Sequence, residues 1–336
     1  MTKTFSLVLS LLFLTQVSLF AQNDNDNDNK NDNKKKYEFV KTKAVNKSYS
    51  VSSSDKLNIQ NSFGSVKVNT WDRNEIKVDV VIEVTSNVES HAQKLIDLIN
   101  VSEGKSGNEI TFKTSLNNHD NNNGSKDTKS SMEINYTISM PANNALTVKN
   151  EFGPTTIPDF RGEVDLTSKF GSLTTGNLSN VKGINVEFGK ANLGNINGSP
   201  VTIKFSKATI SKLSGAVKMN LEFCNSVRLN LDNNLSSLDL KTSYSTVNLK
   251  PLGSLQASYN ISTSFGSFKN TSDVKFNSDE DEKNDGPKFD YEYSGKSGSG
   301  SIPVKVKSSF GKIIVGEATE EDMKDKNKNK SKTRTS

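Results

Sequence analysis

Cysteine is almost missing from this 336-residue chain: Cys224 is the only one. No intramolecular disulfide can form, and no cysteine stands directly behind the N-terminal apolar run to carry a lipid, so packing has to stabilise the protein. Histidine is nearly as scarce. His91 and His119 have no ligand-spaced partner, so His91 reads as a packed or solvated helix residue rather than a catalytic or metal-binding one. A Cys–His nucleophile pair would need Cys224 to leave a repeat position described below, where it reads as a small buried thiol. Neither sign of charge dominates: 43 Lys+Arg stand against 38 Asp+Glu, a net +5. Part of that excess is the lysine-rich tail Lys324 to Lys332, and nucleic-acid binding gains no support. Hydrophobic residues make up only 32% of the chain, which implies a thin core with polar tails and loops. After residue 21 no apolar stretch approaches the roughly 18 residues of a spanning helix, so no transmembrane span is expected once the leader is removed.

Metal and cofactor sites are not expected either. Asp24, Asp26 and Asp28 alternate as in a calcium loop, but Asn29 and Lys35 stand where such a loop wants Gly and Glu. Asp279, Glu280, Asp281 and Glu282 read as a solvated acidic loop.

What is present begins with Lys3, the apolar run Phe5 to Phe20, and Ala21. This reads as a secretory signal peptide over 1–21, cleaved to leave Gln22. Residues 22–50 are expected to be a disordered polar leader, and 278–290 and 318–336 a disordered loop and lysine-rich tail, because they hold too little apolar surface to offset ordering entropy.

The body of the chain is repetitive. An aromatic residue followed by Gly, Ser or Cys recurs at Phe63, Phe152, Phe170, Phe188, Phe205, Phe223, Tyr244, Phe265 and Phe310. From Phe152 to Phe265 the spacings are 18, 18, 17, 18, 21 and 21 residues. Four residues before each ring stands an apolar side chain, as in Leu166, Ile184, Val201 and Leu240, with polar residues alternating between. Period two marks a strand with one buried face. A second short alternation follows each small residue, as in Ala208 and Ile210. A unit of about 20 residues with two or three short strands cannot bury its apolar face alone and must stack on copies of itself. The expected fold is all-β, a β-solenoid with coils of 18–21 residues over 146–317. Its aromatics are expected to form a buried structural ladder, each ring worth about 3 to 5 kcal/mol on truncation, with the following Gly taking the positive φ. Residues 51–145, with strand alternation over Ile76 to Val84 and helical spacing over Glu89 to Ile99, are expected to cap the open N-terminal end.

The combination of NSFGSVKVNTWDRNEIKVDVVIEV, one amphipathic helix, INYTISMP and repeated Phe-Gly units resembles the candidate-adhesin family of bacterial envelope proteins, common in Bacteroidetes, built of β-strand repeats of unknown function. The resemblance spans about Asp55 to Gly316 and implies a right-handed β-helix outside the cytoplasm. The functional expectation is a non-catalytic adhesin or scaffold, exported to the periplasm, outer-membrane surface or medium, meeting an unidentified envelope or surface ligand, protein or carbohydrate. One alternative is a carbohydrate-binding or carbohydrate-active β-helix, which would need clustered carboxylates; Glu187 and Glu222 share a column but are scattered. A periplasmic envelope-stress or signalling partner is the other.

Overall fold

Val, Ile and Leu at every second position draw most of this chain into extended backbone, because alternate side chains then share one dry face. The computed structural model describes residues 38–117, 127–198, 200–279 and 289–324. The signal peptide expected over 1–21 lies outside them, as do His119, the Asp24–Asp28 tract and most of the loop expected at 278–290. The protein is all-β, with one helix among the described residues. Its N-terminal part comprises β1 (Phe39–Ser50), β2 (Lys56–Ser62), β3 (Val66–Trp71), β4 (Glu75–Ser86), α1 (Glu89–Leu98), β5 (Ile99–Ser106), β6 (Glu109–Leu116) and β7 (Ser130–Pro141). The repeats follow as β8 (Ala145–Glu151), β9 (Thr155–Ile157), β10 (Phe160–Lys169), β11 (Ser172–Thr175), β12 (Leu178–Glu187), β13 (Lys190–Gly198), β14 (Val201–Lys204), β15 (Lys207–Glu222), β16 (Ser226–Ser243) and β17 (Thr246–Pro251). The chain ends in β18 (Ala257–Ser264), β19 (Ser267–Thr271), β20 (Phe276–Ser278), β21 (Asp290–Lys296), β22 (Ile302–Ser309) and β23 (Lys312–Gly316).

The repeats pair in parallel, one on the next, along three sides. On the side leading into each aromatic, Val148 pairs with Leu166, Leu166 with Ile184, Ile184 with Val201, Val201 with Met219 and Met219 with Leu240. On the side leaving it, Leu173 pairs with Ala191, Ala191 with Ala208, Ala208 with Val227 and Val227 with Val247. The third side aligns Phe160, Leu178, Ile196, Leu213 and Leu231. All these side chains are buried, and each aliphatic one contributes about 1.5–3 kcal/mol relative to exposure.

The 89-residue step from Phe63 to Phe152 does not interrupt the stack. β2 and β3 pair directly with β8 and β9, while β6 and β7 cover their outer edges. Antiparallel strands then extend outward, β5 on β6, β4 on β7 and β1 on β4, and α1 turns Ala92 and Ile96 inward.

Two expectations are corrected, and a third feature is one that the repeat spacing did not announce. The leader expected to be disordered to residue 50 contains β1, paired with β4 from Phe39 to Ser50. The tail expected to be disordered from 318 is anchored through residue 324. Glu317 pairs with Lys250 at 2.5 Å, Glu320 with Arg228 at 2.6 Å, and Asp322 with Lys269 at 2.6 Å and Lys312 at 3.2 Å, and Met323 is buried. Finally, the last repeats do not stack in chain order. β22 lies between β16 and β18, pairing Val306 with both Leu240 and Ile261, and β23 lies between β17 and β19. β21 runs antiparallel along the other edge of β18, so the connection from β21 to β22 must cross the start of β18. Gly298 and Gly300, at φ 54° and 71°, make that crossing possible where a Cβ would be strained. Ser297 Oγ fixes it by donating to the Leu255 carbonyl at 2.6 Å, and Ser299 N–H donates to Gln256 Oε1 at 2.7 Å.

Candidate functional site

The nine predicted ladder residues are brought together, but facing water. The strand entering each corner alternates inward and outward, and continued alternation would turn the ring inward. Instead, Phe63, Phe152, Phe170, Phe188, Phe205, Phe223, Tyr244, Phe265 and Phe310 all sit at positive φ, between 49° and 65°. They are the only non-glycine residues to do so among the described residues. This left-handed backbone swings each side chain outward. Phe63 is half-buried, and the other eight are 46% to 55% exposed. Both expectations, a buried ladder and a glycine carrying the turn, are therefore overturned.

What the small residue supplies is close approach. A Cβ on Gly171 would run into the Gly153 carbonyl oxygen, and one on Gly189 into that of Gly171. Where Ser replaces Gly, its hydroxyl turns to use. Ser206 Oγ accepts from Gly189 N–H at 3.0 Å and donates to the Lys204 carbonyl at 2.7 Å. Ser245 repeats this with Cys224 N–H at 3.0 Å and the Ser243 carbonyl at 2.7 Å. The buried Cys224 thiol lies 3.3 Å from both the Ile203 and the Glu222 carbonyl oxygens, either of which can accept its single S–H, and burial pushes its pKa up, the opposite of what a thiolate nucleophile requires.

The rings stack in the order 63, 152, 170, 188, 205, 223, 244, 310, 265, with centroid steps of 4.7 to 5.1 Å and planes within 6° of parallel. Phe289, which repeat spacing did not reveal, adds a tenth ring 4.8 Å beyond Phe265. The result is a ridge roughly 44 Å long at cross-β pitch. Ring faces are covered by neighbouring rings, and only edges and the two ends meet solvent.

Each flank of the ridge carries charge. On the strand side the residues just before the rings alternate as Glu151, Lys169, Glu187, Lys204 and Glu222, with Lys169–Glu187 at 3.2 Å and Lys204–Glu222 at 3.1 Å. Asn185 and then Lys169 hold the Glu187 carboxyl below the usual range, and Asn220 and Lys204 do the same for Glu222. Both therefore stay ionised, whereas a glycosidic general acid must be held protonated. Beyond the glycine column the other flank carries Lys190, Lys207 and Lys312, the first two paired in register. Between the rings and this flank lies a furrow, marked near both ends of the ridge. Near the C-terminal end it has a volume of about 560 Å³ and is lined by Phe223, Tyr244, Ser245, Thr246, Phe310 and Lys312 among others.

Two features escaped sequence reading. One is a short asparagine ladder two residues before the first rings, where Asn61 Nδ2 donates to Asn150 Oδ1 at 3.1 Å. The other is a set of buried hydroxyls at the same position in later repeats, Ser168, Thr242, Thr263 and Ser308, without a hydrogen-bond partner among the described residues. No group of three or more His, Cys, Asp or Glu able to hold a metal occurs among the described residues, and none of their helices is long and apolar enough to cross a membrane.

No family model and no curated protein matches the chain. Among solved structures it is similar to a candidate adhesin from Bacteroides fragilis, at 13% identity and a TM-score of 0.40 over 81% of this chain and 97% of that one. It is also similar to a candidate cell adhesion protein from Clostridium sporogenes, at 12% identity and a TM-score of 0.25 over 83% of this chain and 100% of that one. A candidate adhesin from Parabacteroides distasonis matches at 13% identity and a TM-score of 0.24 over 82% and 97%. At these identities and scores, what the protein does has to be argued from its own geometry.

Proposed function

We propose that this protein is a right-handed β-solenoid, exported to the bacterial envelope or beyond, that works as a non-catalytic, adhesin-type scaffold with the aromatic ridge as its contact surface. The observation that carries this reading is the ridge: nine rings share a backbone conformer that costs L-residues roughly 1–2 kcal/mol each, and eight of them are about half exposed. Strain and exposure repeated at matching positions are what a functional surface tolerates and a purely structural core does not need. Parallel pairing along three sides supports the solenoid, and right-handedness follows the rule for parallel crossovers. The apolar run ending at Ala21 supports export.

Carbohydrate binding is the weaker form of this reading. Sugars stack on ring faces, and here faces are occupied by the next ring 4.7 to 5.1 Å away, leaving edges that suit apolar side chains better. The test replaces Phe170, Phe188 and Phe205 together by Asn, which tolerates positive φ but carries no ring. The variant should fold and lose binding to envelope or host-cell surfaces. Undiminished binding would remove the ridge from the contact, and turnover of a polysaccharide that depends on one carboxylate would overturn the non-catalytic reading.

A further inference from the structure

We infer that the ridge is the seam of a homodimer, with a second copy of this chain as its occupant; this rests on the reading of the ridge as a contact surface. Size comes first. A ring buries 150–250 Å² when fully covered, so ten half-exposed rings present about 1,000 Å². That exceeds the roughly 300–600 Å² of the largest patch on a typical monomer and meets the approximately 800 Å² per partner of a stable interface.

Pitch then selects the partner. The ridge repeats every 4.7 to 5.1 Å over nine steps. A surface with any other repeat drifts out of phase within a few rungs, whereas a second copy stays in phase throughout. A ridge one ring wide cannot bury itself head-on against another ridge, but it can lie in the furrow beside it. A two-fold axis along the ladder lets each ridge occupy the other's furrow, rung level with rung, in a self-complementary contact.

Charge makes the Phe188 rung the one to test. That axis sets the flank bearing Glu151, Lys169, Glu187, Lys204 and Glu222 against the opposite flank of the second copy, so that the Phe188 level brings Glu187 to Lys190 while the Phe205 level brings Lys204 to Lys207. Among the described residues neither Lys190 nor Lys207 has a carboxylate partner of its own, while Lys169 and Lys204 do. Glu187 and Lys190 stand on either side of Phe188, so in a level arrangement Glu187 meets the partner's Lys190 and Lys190 meets the partner's Glu187.

The experiment is sedimentation equilibrium of the purified mature chain between about 1 and 100 µM, with thermal melts confirming that each variant folds. The wild type should dimerise. Lys190→Glu and Glu187→Lys should each weaken the dimer about tenfold or more, and the double variant E187K/K190E should recover to within about threefold of wild type. The triple ring variant F170N/F188N/F205N should be monomeric. A wild type that stays monomeric throughout overturns the seam, as does a dimer indifferent to Lys190→Glu or unrestored in the double variant. Ring-dependent binding of a monomer to anionic lipid vesicles would assign the ridge to a membrane instead. If the wild type is monomeric yet its cell-surface binding still requires the rings, the seam fails while the contact-surface reading stands.

Discussion

Replacing Phe188 by Gly should harm the protein less than replacing it by Ala. The ring lies 4.9 Å from Phe170 and 4.7 Å from Phe205, and each stacked pair is worth about 0.5–1.5 kcal/mol beyond area burial. Phe188 is 47% exposed, so only about half of the 1.5–3 kcal/mol of a fully buried ring is realised, roughly 1 kcal/mol. Together the ring contributes about 2–4 kcal/mol. Its backbone stands at φ 55°, a conformer costing roughly 1–2 kcal/mol for any residue with a Cβ and nothing for Gly. Phe188→Ala loses the ring and keeps the strain, for a cost of about 2–4 kcal/mol; Phe188→Gly loses the ring and sheds the strain, and so should be about 1–2 kcal/mol more stable than Phe188→Ala. In an ordinary strand the order reverses, with Gly worse than Ala by about 0.5–1 kcal/mol, and Thr202, at an outward mid-strand position of β14, supplies that control. Urea unfolding followed by circular dichroism ranks the four variants. If Phe188→Ala is as stable as Phe188→Gly, while Thr202 shows the usual order, then the left-handed turn does not carry the strain attributed to it and the account of the outward rings is wrong.

Three further outcomes follow from the packing. Gly189→Ala should destabilise by roughly 3 kcal/mol or more, because its Cβ meets the Gly171 carbonyl, whereas Gly104→Ala, with nothing nearby, should be neutral or mildly stabilising in the same melts. Thr242→Val and Thr263→Val each replace an unpartnered buried hydroxyl by a methyl and should raise stability by about 1 kcal/mol, read as an increased urea midpoint. Lys269 first, then Thr319 and Lys312, hold the Asp322 carboxyl well below its ordinary 3.8. A depressed carboxylate stabilises the folded state above that ordinary value and stops doing so as pH falls through the folded one, so the anchored tail should hold from neutral pH to about 4 and loosen only in stronger acid. Peroxide oxidation of buried Met323, followed by mass spectrometry, checks this: it should be slow at pH 7 in the wild type and fast in Asp322→Asn.

The strands were legible because alternation is local, and so was the position of every predicted ring. The direction of the rings was not, because two local rules conflict at the corner. Period two, counted from Leu166 through Ser168, both buried, places Phe170 inside; the left-handed turn at Phe170 itself places it outside. Only the tertiary stack decides between them. β1 escaped notice for another reason: Lys41, Lys43 and Lys47 share its inward face with Phe39, Val45 and Tyr49, as inward-pointing charges do on edge strands protected against pairing, so FVKTKAVNKSYS looks like a leader. The insertion of β22 between β16 and β18 has no local signature at all, since Tyr244 and Phe265 keep the same 21-residue spacing that adjacent rungs would have. The rings themselves pose the remaining question. Gly at each corner would relieve the backbone, and the inward side chains, among them Leu166, Ile184 and Val201, would still build the core. What retains an aromatic at nine corners is therefore either the stack or whatever meets its exposed edge. The Phe188 series separates these. If Phe188→Gly unfolds as late as the wild type, stacking does not account for the ring, and contact with a partner remains as the reason it is there.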